Sequence, residues 1–133
     1  GWSASASTLA RTTTAHSGTG AAAVTLTTTG SDTLLNDSPN WNPSTKAGTT
    51  CTASAWVQGP AGLKVQIRLR EYQGTVAAGY TSATFTLQGS TWTQITVSAP
   101  VTNGGDTLDL NVYGKAFAVG QTLLVDDVSE VCQ

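Results

Sequence analysis

Through most of the chain, apolar residues recur at every second position. This is the spacing of a strand that buries one face and wets the other. Residues 63–72 show it most cleanly: Leu63, Val65, Ile67 and Leu69 alternate with Lys64, Gln66, Arg68, Arg70 and Tyr72. Residues 51–58 set Cys51, Ala53, Ala55 and Val57 against Thr52, Ser54 and Trp56. Residues 80–87 set Ala83, Phe85 and Leu87 against Tyr80, Ser82, Thr84 and Thr86. Residues 107–113 set Leu108, Leu110 and Val112 against Asp109, Asn111 and Tyr113. Shorter or looser patterns cover 20–29, 33–35, 92–97 and 123–131. Turn residues separate them at Gly59 to Gly62, Gln88 to Ser90 and Asn103 to Gly105. No amphipathic helix of useful length appears. Strands spaced roughly 10–16 residues apart with turn signals between them predict an all-β fold. A β-sandwich or jelly roll of two antiparallel sheets is expected, with 1–133 as one domain.

Composition narrows the class. Charged residues are 11% of the chain, where about 25% is usual. Thr, Ser and Gly are abundant, which disfavours helices, and Thr favours strands. Six Lys and Arg in all leave little for phosphates, so no nucleic-acid partner is expected. No apolar run approaches the roughly 20 residues of a membrane span, so no membrane partner is expected. Four Trp, three Tyr and two Phe, with many Val, Leu and Ile, supply a core and argue against disorder. Cys51 and Cys132 are too few for a disulfide framework and wrongly spaced for zinc. A bridge between them would close a loop of about 80 residues, worth roughly 4–5 kcal/mol in the chain-entropy model. The other reading is two free, buried thiols. Few charges, many hydroxyls and an even Cys count suggest a secreted, extracellular protein, expected as a monomer. The opening GWSASAS has no basic n-region and reads as a mature fragment or excised module.

Three segments together carry a resemblance. They are Ala15-His16-Ser17-Gly18 before an apolar strand, Ala53-Ser54-Ala55-Trp56-Val57, and Leu124-Val125-Asp126-Asp127-Val128-Ser129 near the C-terminus. In this order and spacing they resemble the β-jelly-roll carbohydrate-binding modules grouped as families 4, 9, 16 and 22. Residues 33–41 and Arg68-Leu69-Arg70-Glu71 are similar to a branch common in secreted actinobacterial enzymes. The resemblance implies non-catalytic glycan binding beside a tethered catalytic domain. It also implies a structural Ca²⁺ at Asp126, helped by carbonyls of the Ser17-Gly18 loop. The family usually places a short strand with a Phe-Glu pair ahead of the Gly-Trp, and that Glu is commonly a calcium ligand. Here the sequence opens on Gly1-Trp2, so an N-terminal strand is read as missing. The other reading of Asp126 is a hydrogen-bonding cap on a turn or bulge.

Successive strands of a jelly roll tend to swap sheets. That places 63–72, 80–87 and 107–113 in one sheet and 51–58, 92–97 and 123–131 in the other. The wet face of the first then gathers Arg68, Arg70, Tyr72, Tyr80, Asp109, Asn111 and Tyr113. Planar rings and bidentate polar groups are what a sugar needs: C–H patches stack on rings, and hydroxyls pair with Arg, Asp and Asn. Trp41, in a Pro-Asn-Trp-Asn-Pro segment, is either a ring at the cleft edge or a plug of the sandwich end. Trp56 and Trp92 read as packing residues, and His16, without a Ser-His-Asp context, as ordering a turn.

Hydrolysis needs paired carboxylates in a cleft, and no nucleophile elbow, His metal pair or phosphate loop is present, so an enzyme is not expected. The leading expectation is a module that binds a polysaccharide on the wet, concave face of one sheet: β-glucan, xylan or an acidic glycan. The alternative is a structural or adhesion β-sandwich spacer.

Overall fold

A computed structural model describes residues 1–42 and 44–133. The strands are β1 (Trp2–Ser5), β2 (Ser7–Thr12), β3 (Ala21–Leu26), β4 (Thr33–Asp37), β5 (Thr50–Gly59), β6 (Lys64–Gln73), β7 (Val76–Thr86), β8 (Gly89–Pro100), β9 (Thr107–Lys115) and β10 (Thr122–Cys132). They form two five-stranded sheets, in the orders β1-β4-β9-β6-β7 and β2-β3-β10-β5-β8. Every pairing is antiparallel. The alternation assigned the sheets correctly: β6, β7 and β9 share one sheet, and β5, β8 and β10 the other. No helix is long and apolar enough to cross a membrane among the described residues.

The inward face of each strand is the one its alternation dictates. Val65, Ile67 and Leu69 of β6 meet Ile95 of β8, Val57 of β5 and Leu123 of β10 in one continuous core, all fully or almost fully buried. Each such aliphatic chain contributes roughly 1.5–3 kcal/mol on burial. Gly114 is required where it stands, because a Cβ there would meet Thr33 Oγ1 at 2.3 Å and Phe117 Cζ at 2.8 Å. That close approach lets the Thr33 hydroxyl accept the Gly114 N–H at 2.8 Å.

Several boundaries differ from the sequence reading. β1 and β2 were not anticipated, because Ser and Ala predominate there and β2 exposes most of its residues. β7 starts at Val76 rather than Tyr80, extending a hairpin tip whose first five residues are exposed. Gly89, expected in a turn, opens β8 with φ at 72° and pairs with Gly59. The chain crosses between sheets at Leu87, which is buried and donates its N–H to the Leu63 carbonyl at 2.8 Å.

Glu71 continues the inward-facing row of β6 but carries a charge. Burial alone would raise its pKa. Hydrogen bonds from the Thr102 N–H, the Asn103 N–H and the Thr102 hydroxyl outweigh that and hold it below the usual value. The carboxylate thereby fastens the β8–β9 loop to β6.

β10 contains a bulge between Asp126 and Ser129, with Asp127 at φ 45°. Ahead of it Leu123 and Val125 face the core; beyond it Cys132 lies opposite Cys51 and is bonded to it. The two cysteines therefore form the expected bridge rather than free thiols.

Candidate functional site

On the wet face of the first sheet the register sets Gln66 opposite Tyr113, Arg68 opposite Asn111, Arg70 opposite Asp109, and Tyr72 opposite Thr107. Across the other edge of β6, Arg68 faces Ser82 and Arg70 faces Tyr80. Arg68, Arg70, Tyr72, Tyr80, Asp109, Asn111 and Tyr113 thus come to one surface. They do not all stand free on it. Asn111 is only 2% exposed and Asp109 only 9%. Arg68 donates Nε and Nη2 to Asn111 Oδ1 at 3.0 and 2.7 Å. Asn111 in turn donates Nδ2 to Asn36 Oδ1 and, at 3.3 Å, to Asp109 Oδ2. Asn111 and Asp109 form a polar floor, and the arginines and tyrosines stand above it.

The rings hold the guanidiniums. Arg68 lies 4.8 Å from the Tyr113 ring centroid and 5.5 Å from that of Tyr80. Arg70 lies 5.9 Å from Tyr80 and 6.0 Å from Tyr72, and donates Nη1 to the Tyr72 hydroxyl at 3.2 Å. That bond raises the Arg70 pKa. Burial raises the Tyr113 hydroxyl, against the opposing pull of Arg68, so it remains a neutral phenol. Tyr80, 65% exposed, presents the most open ring. Among the described residues, the surface offers flat rings, guanidinium edges without an ion-pair partner and amide groups, and no nucleophile–base pair.

Asn36 belongs to this network and was missed in the sequence. β4 buries Thr33, Leu35 and Asp37, so Leu34 and Asn36 take the wet face. The run TLLND hides this, because two of its three buried residues are polar.

Trp41 takes a different position. Its ring meets Trp2 edge-on at 4.8 Å, and the two line an open recess of 530 Å³ between the sheets, with Leu9, Arg11 and Leu35. Trp41 is 41% exposed, and its N–H is accepted by Asp37 Oδ2 at 3.0 Å. Trp56 and Trp92 stand on the wet face of the second sheet, partly buried, and His16 stacks on Trp56 at 3.9 Å.

Asp126 Oδ2 accepts the His16 and Ser17 N–H groups at 2.8 and 3.1 Å, and Oδ1 accepts the Asp127 N–H at 2.9 Å. Asp127 takes the Ser17 hydroxyl and His16 Nδ1, each at 2.6 Å, which lowers its pKa. A Ca²⁺ cage wants six to eight oxygens. The neighbours of Asp126 are N–H donors, an arrangement suited to capping the loop and not to holding a cation. Cys51, Glu130 and Cys132 lie within 4.8 Å of one another, but both sulfurs belong to the disulfide.

The chain matches no protein-family model and no curated protein. Solved structures do match. The CBM22-1 xylan-binding domain of Paenibacillus barcinonensis Xyn10C is 14% identical, with a TM-score of 0.74 over 99% of this chain and 85% of that one. The CBM22-1–GH10 modules of Clostridium thermocellum Xyn10B, complexed with xylohexaose, are 13% identical with a TM-score of 0.78 over 100% of this chain and 26% of that one. The enzymatically active domain of bacteriophage CBA120 tailspike protein 4 is 14% identical with a TM-score of 0.71 over 99% of this chain and 19% of that one. The chain thus spans about a quarter of one of these proteins and about a fifth of another. At such identities the likeness shows the fold, a jelly-roll β-sandwich.

Proposed function

We propose that this chain is a non-catalytic carbohydrate-binding module that lays a polysaccharide across the wet face of the β1-β4-β9-β6-β7 sheet. One observation carries the reading: three tyrosines and two arginines from β6, β7 and β9 are fixed by register on one open surface, ring against guanidinium. A sugar ring stacks on such faces, and its hydroxyls meet the flanking donors. Support comes from the fold shared with a xylan-binding domain and with a module joined to a GH10 domain. On this reading the module is secreted and targets a tethered catalytic domain to its glycan, whether β-glucan, xylan or an acidic polymer.

Affinity electrophoresis against a panel of soluble glycans tests it. Retardation in at least one gel is expected. Tyr113→Ala, Arg70→Ala and Tyr72→Ala each weaken it, since truncating a platform ring or fork typically costs above about 1 kcal/mol. Unchanged mobility in every gel defeats the reading in favour of a spacer. Retardation that survives all three substitutions moves the site, with the recess beside Trp41 as the next surface to mutate.

A further inference from the structure

The wet face of the β6–β9 pair is where this acidic protein keeps its positive charge. The chain has six Lys and Arg against eight Asp and Glu. Four of the six cations, Lys64, Arg68, Arg70 and Lys115, fall on that face. Lys115 is neutralised by Asp32 at 2.6 Å. Among the described residues, no carboxylate lies within ion-pair distance of Lys64, Arg68 or Arg70. Asp109 stands opposite Arg70 in register, but its hydrogen bond comes from Asn111. Glu71, the residue after Arg70, faces inward and is spent on Thr102 and Asn103. Residues two apart on a strand lie about 7 Å from each other, so Arg68 and Arg70 repel, and the attraction of Asp109 for Arg70 comes from the buried floor across the strand pair without an ion-pair contact.

Their remaining donors point to what relieves that repulsion. Arg68 commits Nε and Nη2 to Asn111, leaving Nη1; Arg70 commits Nη1 to Tyr72, leaving its Nε–Nη2 edge. That edge is a planar fork matched to a carboxylate or sulfate, and the tyrosine rings already hold both guanidiniums in place. Beyond this face, the other cations are Arg11 and Lys46, against a majority of the acids. A polyanion is repelled from most of the molecule and focused onto this sheet.

Resting on the reading of this face as a glycan platform, we infer that its ligand is an anionic polysaccharide, whose acidic groups close on the free guanidinium edges of Arg68 and Arg70. The experiment is titration calorimetry with four probes: polygalacturonate, its full methyl ester, dextran sulfate and neutral xylan. Each is measured at about 10 mM and about 150 mM salt, between which the Debye length falls from about 30 Å to about 8 Å. Polygalacturonate or dextran sulfate is expected to bind at least about tenfold tighter than the methyl ester or xylan, and to weaken as salt rises. The arm that binds tells carboxylate from sulfate. Arg70→Gln abolishes the preference and Arg70→Lys retains part of it, with both variants melting as the parent does. Lys64→Gln, at the margin, reduces the salt dependence alone. Equal or tighter binding of the methyl ester or xylan, insensitive to salt, overturns the anionic class and leaves the platform standing. No heat from any probe overturns the anionic class, and the platform itself then stands or falls on the electrophoretic glycan panel.

Discussion

Asp37 offers a sharp test, because its environment opposes ionisation while its geometry demands an acceptor. It is 1% exposed, at the end of β4, and its two oxygens accept the N–H groups of Trp41 and Leu110, each at 3.0 Å. Burial, together with the neighbouring Asp109, raises its pKa from 3.8 to about 7. Between these values the unfolded chain gives up its proton while the folded one keeps it. The folded state then binds more protons, so stability must fall as pH climbs from about 4 to about 7 and level off above. About three pKa units at 1.36 kcal/mol each set the scale at about 4 kcal/mol. With a urea m-value of about 1–3 kcal/mol per molar, that moves the midpoint by more than about 1 M. Asp37→Asn isolates the effect. Its amide imitates the protonated acid but loses one acceptor, a cost of about 1–3 kcal/mol for a stranded N–H. Near pH 4.5 the variant is therefore the less stable protein; by pH 8 the gap has closed or reversed. Burial also raises the Glu130 carboxyl, adding a slope of the same sign, but it is common to both proteins and cancels in their difference. Urea titrations of both proteins from pH 4.5 to 8 measure this. Parallel curves, or wild-type stability rising through pH 7, refute the argument.

The Cys51–Cys132 bridge spans 81 residues of sequence, which the chain-entropy relation converts to about 4.5 kcal/mol. Cys51→Ala/Cys132→Ala should lose up to that much in urea unfolding, and the unreduced parent should take up no alkylating agent in a mass spectrum. If Asp126 is a hydrogen-bonded cap, chelator leaves the melting temperature unchanged while Asp126→Ala lowers it; a drop with chelator, restored by added Ca²⁺, refutes the cap and establishes a metal site. Trp92→Ala, which removes the ring lying 5.9 Å from His16 on the opposite sheet, should cost about 1–3 kcal/mol of stability and leave glycan affinity untouched.

The parts of the fold that could be read from sequence are those where one face of a strand is almost purely apolar. Val65, Ile67 and Leu69 announce β6, and Leu108, Leu110 and Val112 announce β9. Since a one-residue slip would bury the arginines, the wet face followed from the same letters. β1 and β2 escaped because small and polar residues on exposed edge strands have no alternation to show. β4 was cut short because Thr33 and Asp37 are buried for hydrogen bonding, not for hydrophobicity. The burial of Asn111 was invisible for a different reason: it depends on Arg68 folding over it from the next strand, a contact set by pairing rather than by neighbours in sequence.

The bulge in β10 acts as a one-letter frameshift. Leu124 pairs with Gln58 and Asp126 with Trp56, but beyond the bulge Ser129 pairs with Ser54 and Cys132 with Cys51. The interior set switches from odd-numbered residues, such as Leu123 and Val125, to even-numbered ones. Had the first register run on, Val131 would lie across from Cys51 and Cys132 would point to solvent. The same switch turns Glu130 inward, where both carboxylate oxygens are buried and burial raises the pKa against the opposing influence of Asn42. Deleting Asp127 would therefore restore a regular ladder and disturb neither end: Val128 would fall opposite Ala55, Glu130 would stay inward, and Cys132 would stay across from Cys51. What it would remove is the carboxylate that takes the Ser17 hydroxyl and His16 Nδ1, so the disulfide would persist while the β2–β3 loop lost one of its two carboxylate anchors.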